Sequence, residues 1–145
     1  MIRFIRMENF KCFEEQELEL GELTLLTGLN GMGKSSVLQS LLLLRQSFQQ
    51  GLLQKTGLAL NGDMVQIGTA RDALFEDAKD EKIGFELDLK NGCKGLWRFN
   101  YDQEADVLGL DQSPLKDNIY SSSLFKDNFH YLQAERLGPR RFFEI

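Results

Sequence analysis

Gly28-Leu29-Asn30-Gly31-Met32-Gly33-Lys34-Ser35 (GLNGMGKS) fits the pattern G-x-x-x-x-G-K-[ST], the Walker A motif, with Gly28, Gly33, Lys34 and Ser35 at its fixed positions. Upstream, Leu23-Thr24-Leu25-Leu26-Thr27 is a short apolar, β-prone run that reads as a buried strand. Downstream, Ser35 to Gln50 contains no Gly or Pro and is rich in Leu, which predicts a helix ending at Gly51. Strand, glycine-rich turn and helix start together form a phosphate cradle. The glycines let backbone N–H groups approach the β-phosphate, and the positive end of the helix faces the anion. Gly28, Asn30, Gly31, Gly33, Lys34, Ser35 and Ser36 are the predicted cofactor-binding residues, for ATP with Mg²⁺. Lys34 would reach the β- and γ-phosphates, and the Ser35 hydroxyl would hold Mg²⁺. The competing reading is a chance glycine-rich turn. With every fixed position filled and both flanks correct, it is the weaker one.

The remaining composition is that of one ordinary soluble domain: 145 residues, 42% hydrophobic and 27% charged, long enough for a real core. A formal net charge of -5 excludes a globally basic nucleic-acid binder but leaves room for a local basic patch. Cys12 and Cys93 stand far apart, and His130 is the single histidine, so the pattern predicts no zinc site and two free thiols in a reducing compartment. Arg3, Arg6, Glu8 and Lys11 interrupt the start MIRFIRMENFKCF, which therefore does not read as a signal peptide. The longest apolar run, Leu41 to Leu44, is far too short to span a bilayer. The expectation is a cytoplasmic protein without a membrane partner.

Ile2 to Phe10 alternates as a first strand and Glu15 to Leu20 as a second, with Gly21-Glu22 turning into the Leu23–Thr27 strand. In the helix, Val37, Leu38, Leu41, Leu42, Leu44, Arg45 and Phe48 cover more than half the circumference, which predicts burial on several sides. The Leu41–Leu44 face is expected to await a lobe outside this chain, leaving the chain self-associating or marginally soluble. Beyond Gly51 the pattern changes. Leu58-Ala59-Leu60 and Met64-Val65-Gln66-Ile67 flank Asn61-Gly62-Asp63, a predicted hairpin with a type I′-prone turn. Ile83–Leu89 and Leu96–Tyr101 flank Asn91-Gly92 in the same way, and Val107–Leu110 is a further strand. Ser113 to Asn128 reads as polar loop, and Phe129 to Ala134 as a strand before the basic end ERLGPRR. The expected organisation is one incomplete lobe: residues 1–55 (strands, phosphate loop, first helix), 56–134 (antiparallel β insert) and 135–145 (truncated end). The class is α/β (α+β). A doubly wound sheet would instead continue with alternating strands and helices.

The first 48 residues resemble the N-terminal lobe of ABC-type ATPase heads of the SMC-like kind, which include the RecF group and the overcoming-lysogenization-defect (OLD) nucleases. GLNGMGKSS is similar to the G-x-N-G-x-G-K-S loop favoured there, and Glu8-Asn9-Phe10-Lys11-Cys12-Phe13 to the E-N-F-K/R-S/C-F opening. Tyr131 to Arg140 (YLQAERLGPR) and Asn61 to Glu76 (NGDMVQIGTARDALFE) resemble segments of bacterial OLD-like ATPases, often labelled AAA-family and frequent in anti-phage defence islands. The resemblance implies an ABC/SMC-like P-loop NTPase core with Lys11 beside the nucleotide. It also implies a homodimer that sandwiches ATP, each head supplying a signature motif to the other, with hydrolysis coupled to DNA processing or an effector nuclease. Gln133 or Glu135 would then be the Q-loop group, or else the solvated end of a strand.

The chain departs from that pattern where hydrolysis is concerned. The LSGGQ-like signature, the Walker B strand ending in Asp-Glu and the switch histidine are all missing. Val107-Leu108-Gly109-Leu110-Asp111 imitates Walker B, but Gln112 stands where the catalytic Glu belongs, and His130 falls in a strand-like run. Little hydrolysis is expected of this chain alone, and a C-terminal lobe is its expected partner. The chain would be a fragment, a split gene product or a truncated reading frame. Arg136, Arg140 and Arg141 read as a contact for DNA phosphate or a partner lobe, or as ordinary surface arginines. Trp97, Phe99 and Tyr101 alternate in a strand and read as core packing ahead of base stacking. Arg71-Asp72 and Glu76-Asp77 read as solvated turn charges. Two rival readings stay open: an ABC transporter ATPase subunit fragment, which the ENFKCF opening disfavours, and a non-catalytic nucleotide-binding or assembly module.

Overall fold

A computed structural model describes residues 2–19 and 32–126, with the side chains of residues 32–35 and of Ser123 outside that description. The predicted strand Leu23–Thr27 and the predicted strand Phe129–Ala134 both lie outside the described residues. Strands β1 (Ile2–Phe10) and β2 (Phe13–Glu19) open the chain, followed by helix α1 (Met32–Gln49). Then come β3 (Gly57–Ala59), the short helix α2 (Ala70–Ala73), β4 (Lys82–Leu89), β5 (Lys94–Asn100) and β6 (Val107–Gln112). Single 3₁₀ turns at Asp117–Ser121 and Ser123–Phe125 end the described part.

The strands form one six-stranded sheet in the order β2-β1-β4-β5-β6-β3, and each neighbouring pair is antiparallel. Period-two alternation puts Ile5 and Met7 of β1, Ile83, Phe85 and Leu87 of β4, and Trp97 and Phe99 of β5 into a single buried cluster with α1. The opposite face carries Arg6, Glu8, Glu86 and Arg98. Among described residues 56–126 the longest helical piece has five residues, so this part of the chain is antiparallel β, as its alternation predicts.

Helix α1 stops where its sequence says it should. Gly51 takes φ +76, its N–H bonds to the Phe48 carbonyl at 3.0 Å, and the Leu52 N–H to that of Ser47 at 2.9 Å. This is a Schellman cap, and the left-handed residue suits glycine. The expected open leucine face is corrected: Leu42, Leu43 and Leu44 are 2%, 0% and 0% exposed within this chain, and only Leu41 is half-buried. The polar positions are buried as well and are satisfied by backbone. Arg45 donates to the carbonyls of Leu124 at 2.8 Å and Lys126 at 2.6 Å, and the Ser47 hydroxyl accepts the Ala59 N–H at 2.7 Å.

Two further expectations are corrected. The 58–67 hairpin does not form as a ladder. β3 pairs with β6 instead, and Asn61 and Gln66 share only an isolated bridge. The polar segment after Ser113 is not mere loop, because its 3₁₀ turns bury Ile119, Tyr120, Leu124 and Phe125. Tyr120 stacks on Phe48 with centroids 5.2 Å apart and accepts a hydrogen bond from Trp97 Nε1 at 3.2 Å. Burial raises the Tyr120 pKa, and the bond from Trp97 opposes that shift.

Candidate nucleotide site

The turn between β1 and β2 is built from the ENFKCF stretch, and each residue has a physical task. Phe10 is fully buried and meets Phe85 edge-on at 5.1 Å. Asn9 and Lys11 on either side both take φ +56, a left-handed conformation that Asn tolerates and Lys pays for. Asn9 is nearly buried, and its Nδ2 donates to Asp80 Oδ1 at 2.8 Å and to the Lys82 carbonyl at 2.9 Å. The Lys11 N–H bonds to the Ala73 carbonyl and the Phe75 N–H to that of Asn9, both at 2.8 Å. These bonds from the segment after β3 hold Lys11 in its strained conformation, a form of constraint that gathers at functional sites.

The same turn touches α1. The Cys12 thiol lies 4.0 Å from Ser36 Oγ. Cys12 is exposed while Ser36 is 2% exposed. Lys11, Cys12 and the first turns of the motif helix therefore share one place in the molecule. Residues Met32, Gly33, Lys34 and Ser35 form the helix start, and its first turn carries no acidic residue, so no side chain of that turn offsets the positive end of the helix dipole. The Cys12 thiol points its hydrogen at the Ser36 hydroxyl, so the turn meets the helix through this one side-chain contact. A shallow pocket of about 220 Å³ beside the turn, lined by Glu8, Asn9, Glu14, Glu15, Lys79 and Asp80, is acidic and unsuited to phosphate.

Several predicted residues fall outside the described part: Gly28, Asn30 and Gly31 of the loop, and His130, Gln133, Glu135, Arg136, Arg140 and Arg141. Asp111 is described. It lies on β6, where of the Walker B-like run only Leu108 is buried, and its carboxylate pairs with Lys82 Nζ at 3.3 Å. That is a one-sided antiparallel strand rather than a buried catalytic one. Trp97 and Phe99 are fully buried, in keeping with core packing. Arg71 is exposed and pairs with Glu104 at 3.0 Å. Sequence reasoning missed Asn9 and Asp80. The signal for Asn9 was its residue type, the commonest after Gly at positive φ.

The described geometry brings the strained ENFKCF turn to the start of a helix whose first turn carries no acidic residue. The chain belongs to the AAA ATPase domain family, whose model matches residues 1–135. A stretch of 41 residues is 39% identical to an OLD nuclease of Thermus scotoductus, covering 28% of this chain and 8% of that nuclease. The chain is thus OLD-like, and the match spans a small part of the relative's length. No solved structure matches the chain. Among the described residues no helix is long and apolar enough to cross a membrane.

Proposed function

We propose that this chain is the ATP-Mg²⁺-binding lobe of an SMC/OLD-like ATPase with a P-loop core. Gly28, Asn30, Gly31, Gly33 and the backbone of Ser36 cradle the phosphates, Lys34 neutralises the β- and γ-phosphates, and Ser35 holds Mg²⁺. Lys11 lies beside the nucleotide, and Gln133 or Glu135 serves the water or metal. The observation that carries this reading is the contact between Cys12 and Ser36, which gathers the ENFKCF turn and the motif helix in one place. The nucleotide brings the phosphoanhydride to be cleaved. This chain's residues bind and orient it.

In the proposed assembly a C-terminal lobe supplies Walker B and signature groups, two heads close on ATP, and the cycle gates DNA processing or a defence effector nuclease in the cytoplasm. The chain alone then hydrolyses very little, because its sequence has no Walker B Asp-Glu pair to hold Mg²⁺ and orient the attacking water. That departure also favours, as a second reading, a module that binds nucleotide without turning it over. DNA would not dock on the outer sheet face, where Glu8, Glu15, Glu17 and Glu86 surround Arg6 and would repel phosphate.

Calorimetric titration with MgATP tests the site. Lys34→Ala removes the charge paired with the phosphates and should abolish measurable binding. Equal affinity in wild type and Lys34→Ala would show the site assignment to be wrong.

A further inference from the structure

Strand β5 is paired along the whole of one edge and along only part of the other. The Leu89 N–H bonds to the Cys93 carbonyl at 2.8 Å and the Tyr101 N–H to the Glu81 carbonyl at 2.9 Å. In an antiparallel ladder these two bonds fix the phase. Gly95, Trp97 and Phe99 turn their backbone groups to β4, and Lys94, Leu96 and Arg98 turn theirs to the opposite edge. On that edge β6 meets β5 only at Arg98 and Phe99. Gln112 stands opposite Arg98, so a ladder continued in register would bring Pro114 opposite Leu96. Proline has no N–H to give, and β6 stops short of it. Among the described residues the outward N–H and C=O groups of Lys94 and Leu96 therefore have no strand to bond.

Beside this edge lies a groove of about 440 Å³, with half-buried Leu96 on one side and residues 113–116 on the other. The second wall is anchored from below. Ile119 and Tyr120 are buried, and Ile119 Cγ1 is so close under β5 that a Cβ on Gly95 would come within 2.9 Å of it. Leu115 stands on this wall and is, among the described residues, the one large apolar side chain that is fully exposed. Lys94 and Lys116 also line the groove, and neither makes an ion pair or hydrogen bond among the described residues. Glu86, opposite Leu96 on β4, is drawn towards Arg6 at 3.6 Å. The groove thus joins unpaired backbone, an apolar patch and two unengaged ammonium groups, on a chain whose net charge is -5.

We propose that this edge of β5 is a docking site for an acidic, extended segment of a partner protein, which adds to the sheet in line with β6. Backbone pairing with Lys94 and Leu96 supplies the attachment, as it does wherever a peptide extends a sheet. Alternate side chains of the added strand share one face. An apolar residue over Leu96 and Leu115 therefore carries its second neighbours towards Lys94 and Lys116, where carboxylates are attracted and a basic segment would meet like charge. The two lysines make selective an edge that would otherwise accept any strand. This docking surface does not rest on the nucleotide reading.

The probe is a blocked, fluorescently labelled peptide, Thr-Glu-Thr-Leu-Thr-Glu-Thr, whose two Glu and one Leu share a face when it is extended. Anisotropy on the full chain reads its affinity, and residue-resolved amide exchange reads the edge. In the free protein the amides of Lys94 and Leu96 should exchange readily while those of Gly95 and Trp97 are protected. Saturating peptide should slow Lys94 and Leu96 about tenfold and leave the other two unchanged. Reversing both lysines, Lys94→Glu with Lys116→Glu, should weaken binding about tenfold, and so should replacing both peptide Glu by Lys. Leu115→Ser should weaken it about threefold. Peptides N-methylated at their even or at their odd residues separate the binding mode: only the series whose amides face β5 should lose affinity, by about tenfold.

No peptide binding up to about 1 mM overturns the docking site. A Leu96 amide already protected in the free chain at every protein concentration means that the chain covers its own edge, and protection that grows with protein concentration assigns the edge to a second copy; either result overturns the partner. Equal affinity for the Glu and Lys peptides overturns its acidic character. Loss of binding in both methylated series, or in neither, overturns strand addition. Lys34→Ala should bind the peptide as wild type does, so the nucleotide reading and this one stand or fall by separate measurements.

Discussion

Two Asn-Gly pairs in this chain behave in opposite ways. At Asn91-Gly92 the dipeptide governs the turn. Gly92 takes φ +92, its N–H bonds to the Leu89 carbonyl at 3.0 Å, and Asn91 Oδ1 accepts the Cys93 N–H at 3.0 Å. At Asn61-Gly62 neither residue has positive φ, so no type I′ turn forms. Asn61 instead brackets Gly68, donating to its carbonyl at 2.8 Å and accepting from its N–H at 3.0 Å. Gln46 of α1, 3% exposed, reaches across. It donates to the carbonyls of Ala59 and Val65, each at 3.1 Å, and accepts the N–H groups of Met64 at 3.3 Å and Val65 at 3.0 Å. A turn in solvent follows its own residues. A turn laid against a buried amide follows that amide.

Removing the amide should break the comparison most completely. Gln46→Ala strips partners from four backbone groups, most of them buried, and is expected to cost about 3 kcal/mol in urea unfolding. A loss below about 1 kcal/mol would mean that the 59–65 segment holds itself. Gly62→Ala comes next, at about 2 kcal/mol, because the new Cβ would sit 2.7 Å from Nε2 of the exposed Gln50, which can swing aside, and 2.8 Å from Gln46 Oε1, where it would displace a buried, fully bonded group. That cost should largely vanish in a Gln46→Ala background, a coupling that a double-mutant cycle reads directly.

Gly92→Ala meets nothing within 4 Å. It should cost about 1 kcal/mol from backbone strain alone, identical in both backgrounds. Asn91→Ala should be smallest, about 0.5 kcal/mol, since only one exposed turn bond is lost.

The parts of the fold that could be read from sequence are those with a period. Ile2–Phe10 is β1 to the residue, the described part of Glu15–Leu20, up to Glu19, falls on β2, and the Ile83–Tyr101 pattern gives the β4–β5 hairpin, because one-sided burial forces alternation. The parts that could not be read lack a period or depend on distant partners. Ile119, Tyr120, Leu124 and Phe125 enter the core from single turns too short to repeat. Gln46 has the composition of a surface residue. The leucine run of α1 pointed to an absent partner, yet the chain's own sheet and 3₁₀ turns cover most of it. At the site, the phosphate motif stands on its sequence spacing, since Gly28 to Gly31 lie outside the described residues. The proximity of Lys11 came from resemblance, and the left-handed pair Asn9 and Lys11 became visible only with the bonds from Ala73, Phe75 and Asp80.

Strand order carries a consequence for the life of the nascent chain. β1 lies between β2, its immediate successor, and β4, with Met7 opposite Phe85. On the ribosome the first hairpin can close at once, but one edge of β1 stays unpaired until Leu89 has emerged. At ordinary elongation rates that interval is on the order of ten seconds, far longer than the microseconds a hairpin needs to form. For that time β1 has an open strand edge, the condition in which a foreign strand can add. The β4–β5 hairpin, once made, closes that edge by docking as a unit, and the sheet is complete only when β6 has emerged to join β5 and take β3 as its neighbour.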